Sequence, residues 1–248
     1  NETNRIIDGN DGWETISVDG GRNWSRQMNQ PTAQFYHGVA DNDYPYRIYG
    51  SQQDNSSVGI ATASDNGFIG RSDWEAVGGG ESGYVAVDPR DSNRLYASSW
   101  TLYSGGGGVF RSDDAGHTWK VIGLAHETVR ALAQAPTNPK ILLAGSWTGV
   151  YRSTDEGATW TLITPAKHED LRNFDSVAFD PRDENTIYAG TYHLPWKTTN
   201  GGKDWFPIQK GMIDDSDVMS IVVDPTNPEN VHATACSGST HSVNAAQP

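Results

Sequence analysis

The chain has one cysteine, Cys236, in 248 residues. A single cysteine excludes an internal disulfide, and its setting in Val231-His-Ala-Thr-Ala-Cys236 reads as a strand carrying an inert buried thiol. No run of about 18 apolar residues occurs, which excludes a helical membrane span. Apolar residues make up 35% of the chain, few for a helical core, while 27 glycines and 12 prolines suit many short strands and turns. Basic residues are also scarce: 18 against 31 acidic ones, a net charge of −13. That field repels nucleic acid and anionic membranes and leaves neutral sugars, cationic peptides and cations as compatible partners. No signal peptide is visible, and the polar Asn1 suggests a mature or trimmed chain.

What the chain does have is a repeat. Ser153-Thr-Asp155-Glu-Gly157-Ala-Thr159-Trp160 recurs as Ser112-Asp-Asp114-Ala-Gly116-His-Thr118-Trp119. Ser17-Val-Asp19-Gly-Gly21-Arg-Asn23-Trp24 replaces Thr by Asn, and Thr198-Thr-Asn200-Gly-Gly202-Lys-Asp204-Trp205 is a softened copy. Ser64-Asp-Asn66-Gly67, followed by Trp74, is a stretched one. The five tryptophans are spaced by 50, 45, 41 and 45 residues. Such a period marks repeated supersecondary units, and a four-stranded propeller blade fits it. The motif suits a hairpin corner: Asp accepts from turn amides, Gly takes a positive φ, and Trp buries a ring between neighbouring units.

A second repeat keeps step with the first. Tyr84-Val-Ala-Val-Asp88-Pro89, Ser176-Val-Ala-Phe-Asp180-Pro181 and Ser220-Ile-Val-Val-Asp224-Pro225 each precede another apolar strand. Ala131-Leu-Ala-Gln-Ala135-Pro136 and His37-Gly-Val-Ala-Asp41 are weaker copies. One unit thus reads as strand A, a turn, strand B, a connection, strand C, the box and strand D. The expected fold is all-β: a propeller of four-stranded blades, five in number, occupying 1–248 as one domain. Its ring is expected to close with strands from both termini in one blade, leaving no open edge. Arg5-Ile-Ile7 also reads as a strand B, which would duplicate the strand at 231–235.

The motif resembles the Asp-box, or BNR repeat, of sialidases, sortilin-type receptors, xyloglucan-active glycosidases and the photosystem II stability factor family. Residues 4–97 resemble secreted bacterial sortilin-like propellers grouped with BNR-repeat glycosyl hydrolases, and residues 108–238 resemble relatives of the stability factor. The tail 239–248 departs from both. The resemblance implies a secreted, periplasmic or cell-surface protein without a cofactor. It is informative about architecture and weak about function, because these families do different things on the same box.

Alternation places the A–B turns and boxes on one face and the B–C and D–A connections on the other. The second face is irregular in sequence, where binding residues are expected on a rigid scaffold. The candidate ligand-binding residues there are Trp100, Trp147, Tyr192, Arg130, Arg172, Asp175 and Asp217. Rings beside carboxylates suit a sugar or a cationic peptide. The plain alternative is that Trp100 and Trp147 cover the core and that the acidic run 214–217 is a solvated turn. Gly83, Arg130, Asp175, Met219 and Tyr36 all stand five residues before the end of strand A, and five residue types at one repeat position suggest freedom to suit a ligand.

His126-Glu127 and His168-Glu169 recur by repetition, and no set of three converging metal ligands can be assembled. The run 105–108 lacks the Lys-Ser/Thr and helix of a phosphate loop. The three-arginine, Tyr-Glu and Arg-Ile-Pro pattern of sialidases fails, since Tyr49 follows Arg47-Ile48. A xyloglucan-type inverting enzyme would need two carboxylates about 6.5–9.5 Å apart, for which Asp175 and Glu81 are candidates. The first reading is a binding or assembly module for a glycan or a protein or peptide ligand. The alternative is a glycoside hydrolase.

Overall fold

The computed structural model describes residues 4–9, 14–25, 34–52, 57–78, 83–100, 107–166, 168–212, 216–235 and 240–244. They contain 21 strands and a short 3-10 turn at Arg71–Asp73. A hairpin comes first, β1 (Ile6–Gly9) with β2 (Glu14–Ser17). Four antiparallel four-stranded sheets follow in strict chain order. The first is β3 (Phe35–Ala40), β4 (Arg47–Gln52), β5 (Ser57–Ala61) and β6 (Trp74–Ala76). The second is β7 (Val85–Asp88), β8 (Asp91–Ser99), β9 (Gly108–Ser112) and β10 (Lys120–Gly123). The third is β11 (Val129–Gln134), β12 (Leu142–Ser146), β13 (Val150–Ser153) and β14 (Thr161–Leu162). The fourth is β15 (Phe174–Asp180), β16 (Asp183–Thr191), β17 (Pro195–Thr198) and β18 (Phe206–Pro207). A fifth sheet has three strands, β19 (Val218–Val223), β20 (Asn230–Ala235) and β21 (Thr240–Asn244).

Each sheet is a meander, so its corners alternate between two faces, as the repeat predicts. First strands of successive sheets pack side by side: β3 on β7, β7 and β8 on β11, β11 on β15, and β15 on β19. The apolar core lies between sheets. Tyr49 and Val77 of the first meet Val85 and Leu95 of the second. Tyr96 and Val109 of the second meet Leu132 and Leu142 of the third. Leu143 and Val150 of the third meet Phe174, Ile187 and Trp196 of the fourth. Tyr188 of the fourth packs with Val218, Ile221 and Val231 of the fifth. Each such side chain, moved from water, contributes about 1.5–3 kcal/mol.

The boxes are the corners between third and fourth strands. Ser153 Oγ donates to Asp155 at 2.8 Å and accepts from Gly157 N at 2.8 Å. Asp155 also accepts from Thr159 N and Thr159 Oγ1. The 112–119 copy repeats this, and its hydrogen bonds from Thr118 and Ser112 hold Asp114 down at about 2. In the softened copy Asn200 takes the place of Asp, accepting from Thr198 Oγ1 and Asp204 N. The stretched copy recruits a different carboxylate: Ser64 Oγ donates to Asp73, which also accepts from Gly70 N.

The boxes also join sheets. Trp160 Nε1 donates to Ile122 O of the preceding sheet, and Trp205 Nε1 to Ile163 O. Gly116, Gly157 and Gly202 lie against Val77, Ile122 and Ile163 so closely that a Cβ would collide. Glycine is therefore required at these three points for packing as well as for its positive φ.

The pairing of the described residues does not include a sheet shared by both termini. Among the described residues β1 and β2 pair only with each other, and the third place in the last sheet belongs to β21. The polar stretch Thr240–Asn244 takes that place because backbone groups, not apolar side chains, make a ladder: all five residues pair with β20 without a break. Arg5-Ile-Ile7 does behave as a second strand, since β1 precedes a third strand and its box.

Candidate functional site

The repeat position that varies in residue type proves special in backbone. The β11–β12 register slips between Val129 and Ala131, so Arg130 is an extra residue. The β15–β16 register slips between Phe174 and Ser176, at Asp175. The β19–β20 register slips between Val218 and Ser220, at Met219. In the first sheet the slip spans Tyr36 and His37. A bulge inserts one residue unopposed on its partner strand and re-aims a side chain. Four of the five first strands thus carry an odd residue at this repeat position; the second sheet, where Gly83 stands, shows no slip there.

These residues meet across sheets. Tyr36 of the first sheet stands 5.2 Å from the Trp100 ring, which follows β8 of the second. The guanidinium of Arg130, in the third, lies over Trp100 at 4.4 Å. Arg130 Nε reaches Asp175 Oδ1 of the fourth sheet at 2.6 Å. The N–H is not aimed along that line, so the contact is mainly charge attraction. Asp175 is 4% exposed. Asp217, just before β19 of the fifth sheet, is close enough for its charge to act on Asp175; its Oδ1 and both Asp175 carboxylate oxygens are buried without a hydrogen-bond partner among the described residues. Burial raises Asp175 to about 7; Arg130 opposes this, and Asp217 adds to it. Four of the seven candidate ligand residues therefore form one file: Trp100, Arg130, Asp175 and Asp217.

The other three form a second, exposed group on the same loop face. Trp147 lies between β12 and β13 and is 45% exposed; Tyr192 lies between β16 and β17 and is 53% exposed. Arg172, in the connection into β15, is exposed as well. One residue ties them: Asn173 N donates to Trp147 O at 3.0 Å, and Tyr192 N donates to Asn173 O at 3.1 Å. Asn173 adopts φ 55°, which asparagine tolerates better than most residues. His193 stands edge-on to Tyr192 at 5.0 Å. Nearby, Glu127 accepts from Thr148 Oγ1 at 2.7 Å and from Tyr151 Oη at 3.2 Å, which commits it to local structure.

Glu81 lies outside the described residues. Among those described, no three His, Cys, Asp or Glu side chains group as a metal site. Among the described residues no helix is long and apolar enough to cross a membrane. Asn173 is not among the residues the sequence singles out, whereas Tyr36 is, as one of the five variable positions before the end of strand A. An asparagine just before a first strand was the available signal for Asn173. For Tyr36 the structure adds its ring partner, Trp100 of the next sheet.

Meander sheets in chain order, joined by Ser-x-Asp-x-Gly corners, define a β-propeller of the Asp-box kind. Residues 107–214 match the profile of the sortilin family, described as "Sortilin, neurotensin receptor 3". Among solved structures, an ancestral GH74 enzyme superposes with a TM-score of 0.63 at 24% identity, over 83% of this chain and 28% of that one. The GH74 xyloglucanase from Xanthomonas campestris superposes at 0.48 and 18% identity, over 81% of this chain and 42% of the other. The chain therefore spans less than half the length of either enzyme, and the likeness to the ancestral enzyme speaks to the fold alone. No curated protein sequence matches.

Proposed function

We propose that this propeller is a binding module that holds a glycan on its loop face, over the third and fourth sheets. The observation that carries the reading is the exposed pair Trp147 and Tyr192, fixed through one backbone residue, with Arg172 beside them. Two large rings outside any core give flat surfaces for a sugar to stack on, and Arg172 adds a donor for hydroxyls. The buried file links the sheets that carry these loops: the Arg130–Asp175 pair spans the third and fourth sheets, and Asp217 continues it to the fifth. A glycan ligand fits an extracellular or periplasmic setting of the kind the resemblance suggests.

Hydrolysis fits the geometry less well. Asp175 is buried, paired with Arg130 and pressed against Asp217, whereas an inverting pair needs room for a water between separated carboxyl groups. Calorimetric titration with cello- and xyloglucan oligosaccharides and with a cationic peptide tests the proposal. Trp147→Ala and Tyr192→Ala should each weaken sugar binding about tenfold, or about 1.4 kcal/mol, with unchanged circular dichroism. Binding of the peptide alone would favour a protein ligand. Reducing ends released by the chain but not by Asp175→Asn would favour a hydrolase.

A further inference from the structure

The first four-stranded sheet breaks the repeat twice, both times on the box face. Its A–B turn holds Tyr44, Pro45 and Tyr46 where the other four turns carry no aromatic residue. Its box is stretched, with Trp74 ten residues after Ser64 instead of the seven from Ser153 to Trp160. The two departures face each other. Tyr44, Pro45, Tyr46, Thr62, Ala63, Ser64 and Asp65 line an open cavity of about 250 Å³.

Both walls are fixed. Asp41, buried at the root of the turn, accepts from Arg47 N at 2.8 Å, Asp43 N at 3.2 Å and Tyr49 Oη at 3.0 Å. Thr62 donates to Tyr46 O through both its N–H and its Oγ1, at 2.9 Å each. On the other side Ser64 is tied to Asp73 and accepts from Asn66 N. Preorganised walls lower the cost of ordering on binding. Yet the rim is left to solvent: Tyr44 is 100% exposed, Tyr46 is 47% exposed and Asp65 is exposed. Folding gives no reason to hold a tyrosine wholly in water at the end of a braced turn.

We infer that this cavity is a second ligand site, taking an arginine or lysine side chain of a protein partner. Charge complementarity selects that occupant. Asp65 is the one charged residue lining the cavity; it makes no ion pair among the described residues, and no basic residue lines the walls. A guanidinium between tyrosine rings would gain from the ring faces as well as from the carboxylate. The nearest cation in sequence, Arg47, is engaged by Glu75 at 2.9 Å and lies over Tyr49. The site is on the face opposite Trp147 and Tyr192, so it stands independently of the glycan reading.

The test is amide chemical-shift mapping on the whole chain with the peptide acetyl-Gly-Arg-Gly-Arg-Gly-amide. Its glutamine counterpart and cellotetraose serve as controls. The arginine peptide should shift the amides of Tyr44, Tyr46 and Thr62 through Asp65, with weakening as salt rises. Tyr44→Ala and Asp65→Asn should each weaken binding about threefold or more. Melting should be unchanged, because both side chains are exposed. The proposal is overturned if millimolar peptide leaves these amides unmoved, if the glutamine peptide or the sugar shifts them equally, or if neither substitution alters binding.

Discussion

At the scale of single residues, two tryptophans in the same motif have different surroundings. Trp160 donates its N–H across a sheet boundary to Ile122 O and packs against the second and third sheets. Trp24 is 44% exposed and, among the described residues, donates its ring N–H within its own box, to Gly21 O. Trp160→Ala should therefore cost about 3–5 kcal/mol, the range for emptying an aromatic core site, and Trp24→Ala much less. Denaturant melts of the two variants check this, and equal losses would contradict the inter-sheet role of the ring. Asp175 gives a second prediction. Burial raises it to about 7, so between the ordinary carboxylate value and about 7 the folded chain binds more protons than the unfolded one. Stability from this group is present at low pH and is lost as pH rises through about 7. The box carboxylates run the other way: Asp114, held at about 2, lends stability above the usual carboxylate range that is lost as pH falls through about 2. Melting temperature should thus contain a component that declines from about pH 4 to about pH 7, absent in Asp175→Asn.

At the scale of strands and corners, fit between sheets decides stability. A Cβ at Gly190 would fall on Ser176 Oγ and on Val218 of the next sheet, while nothing lies within 4 Å of one at Gly38. Gly190→Ala should destabilise by about 1–3 kcal/mol and Gly38→Ala hardly at all, as thermal melts would show. Strand order and box corners were legible because period-two alternation and Ser-x-Asp-x-Gly spacing are local signals. The variable position five residues before the end of strand A was legible as an irregularity, but not as a bulge. A bulge is a relation between two strands, and alternation within one strand does not contain it. The same limit hid the file from Tyr36 to Asp217, whose members come from five sheets. Thr240–Asn244 was missed as a strand for a different reason: it has no apolar pattern, and its place rests on backbone pairing with β20.

At the scale of the whole molecule, one face is committed to structure by its boxes over much of its extent, and the other carries the exposed Trp147, Arg172 and Tyr192. The first sheet is the exception, with its open box-face cavity. A net charge of −13 should leave sugar binding on the loop face nearly indifferent to salt, since stacking on neutral rings carries no counterion term, and titrations at low and high ionic strength would show it. The most direct test of the loop-face assignment is hydrogen–deuterium exchange with and without saturating oligosaccharide. The account predicts slowed exchange confined to residues 145–149, 171–173 and 191–194, with the box corners at 112–119 and 153–160 unchanged. Protection at the box corners with none in those three loops would contradict it.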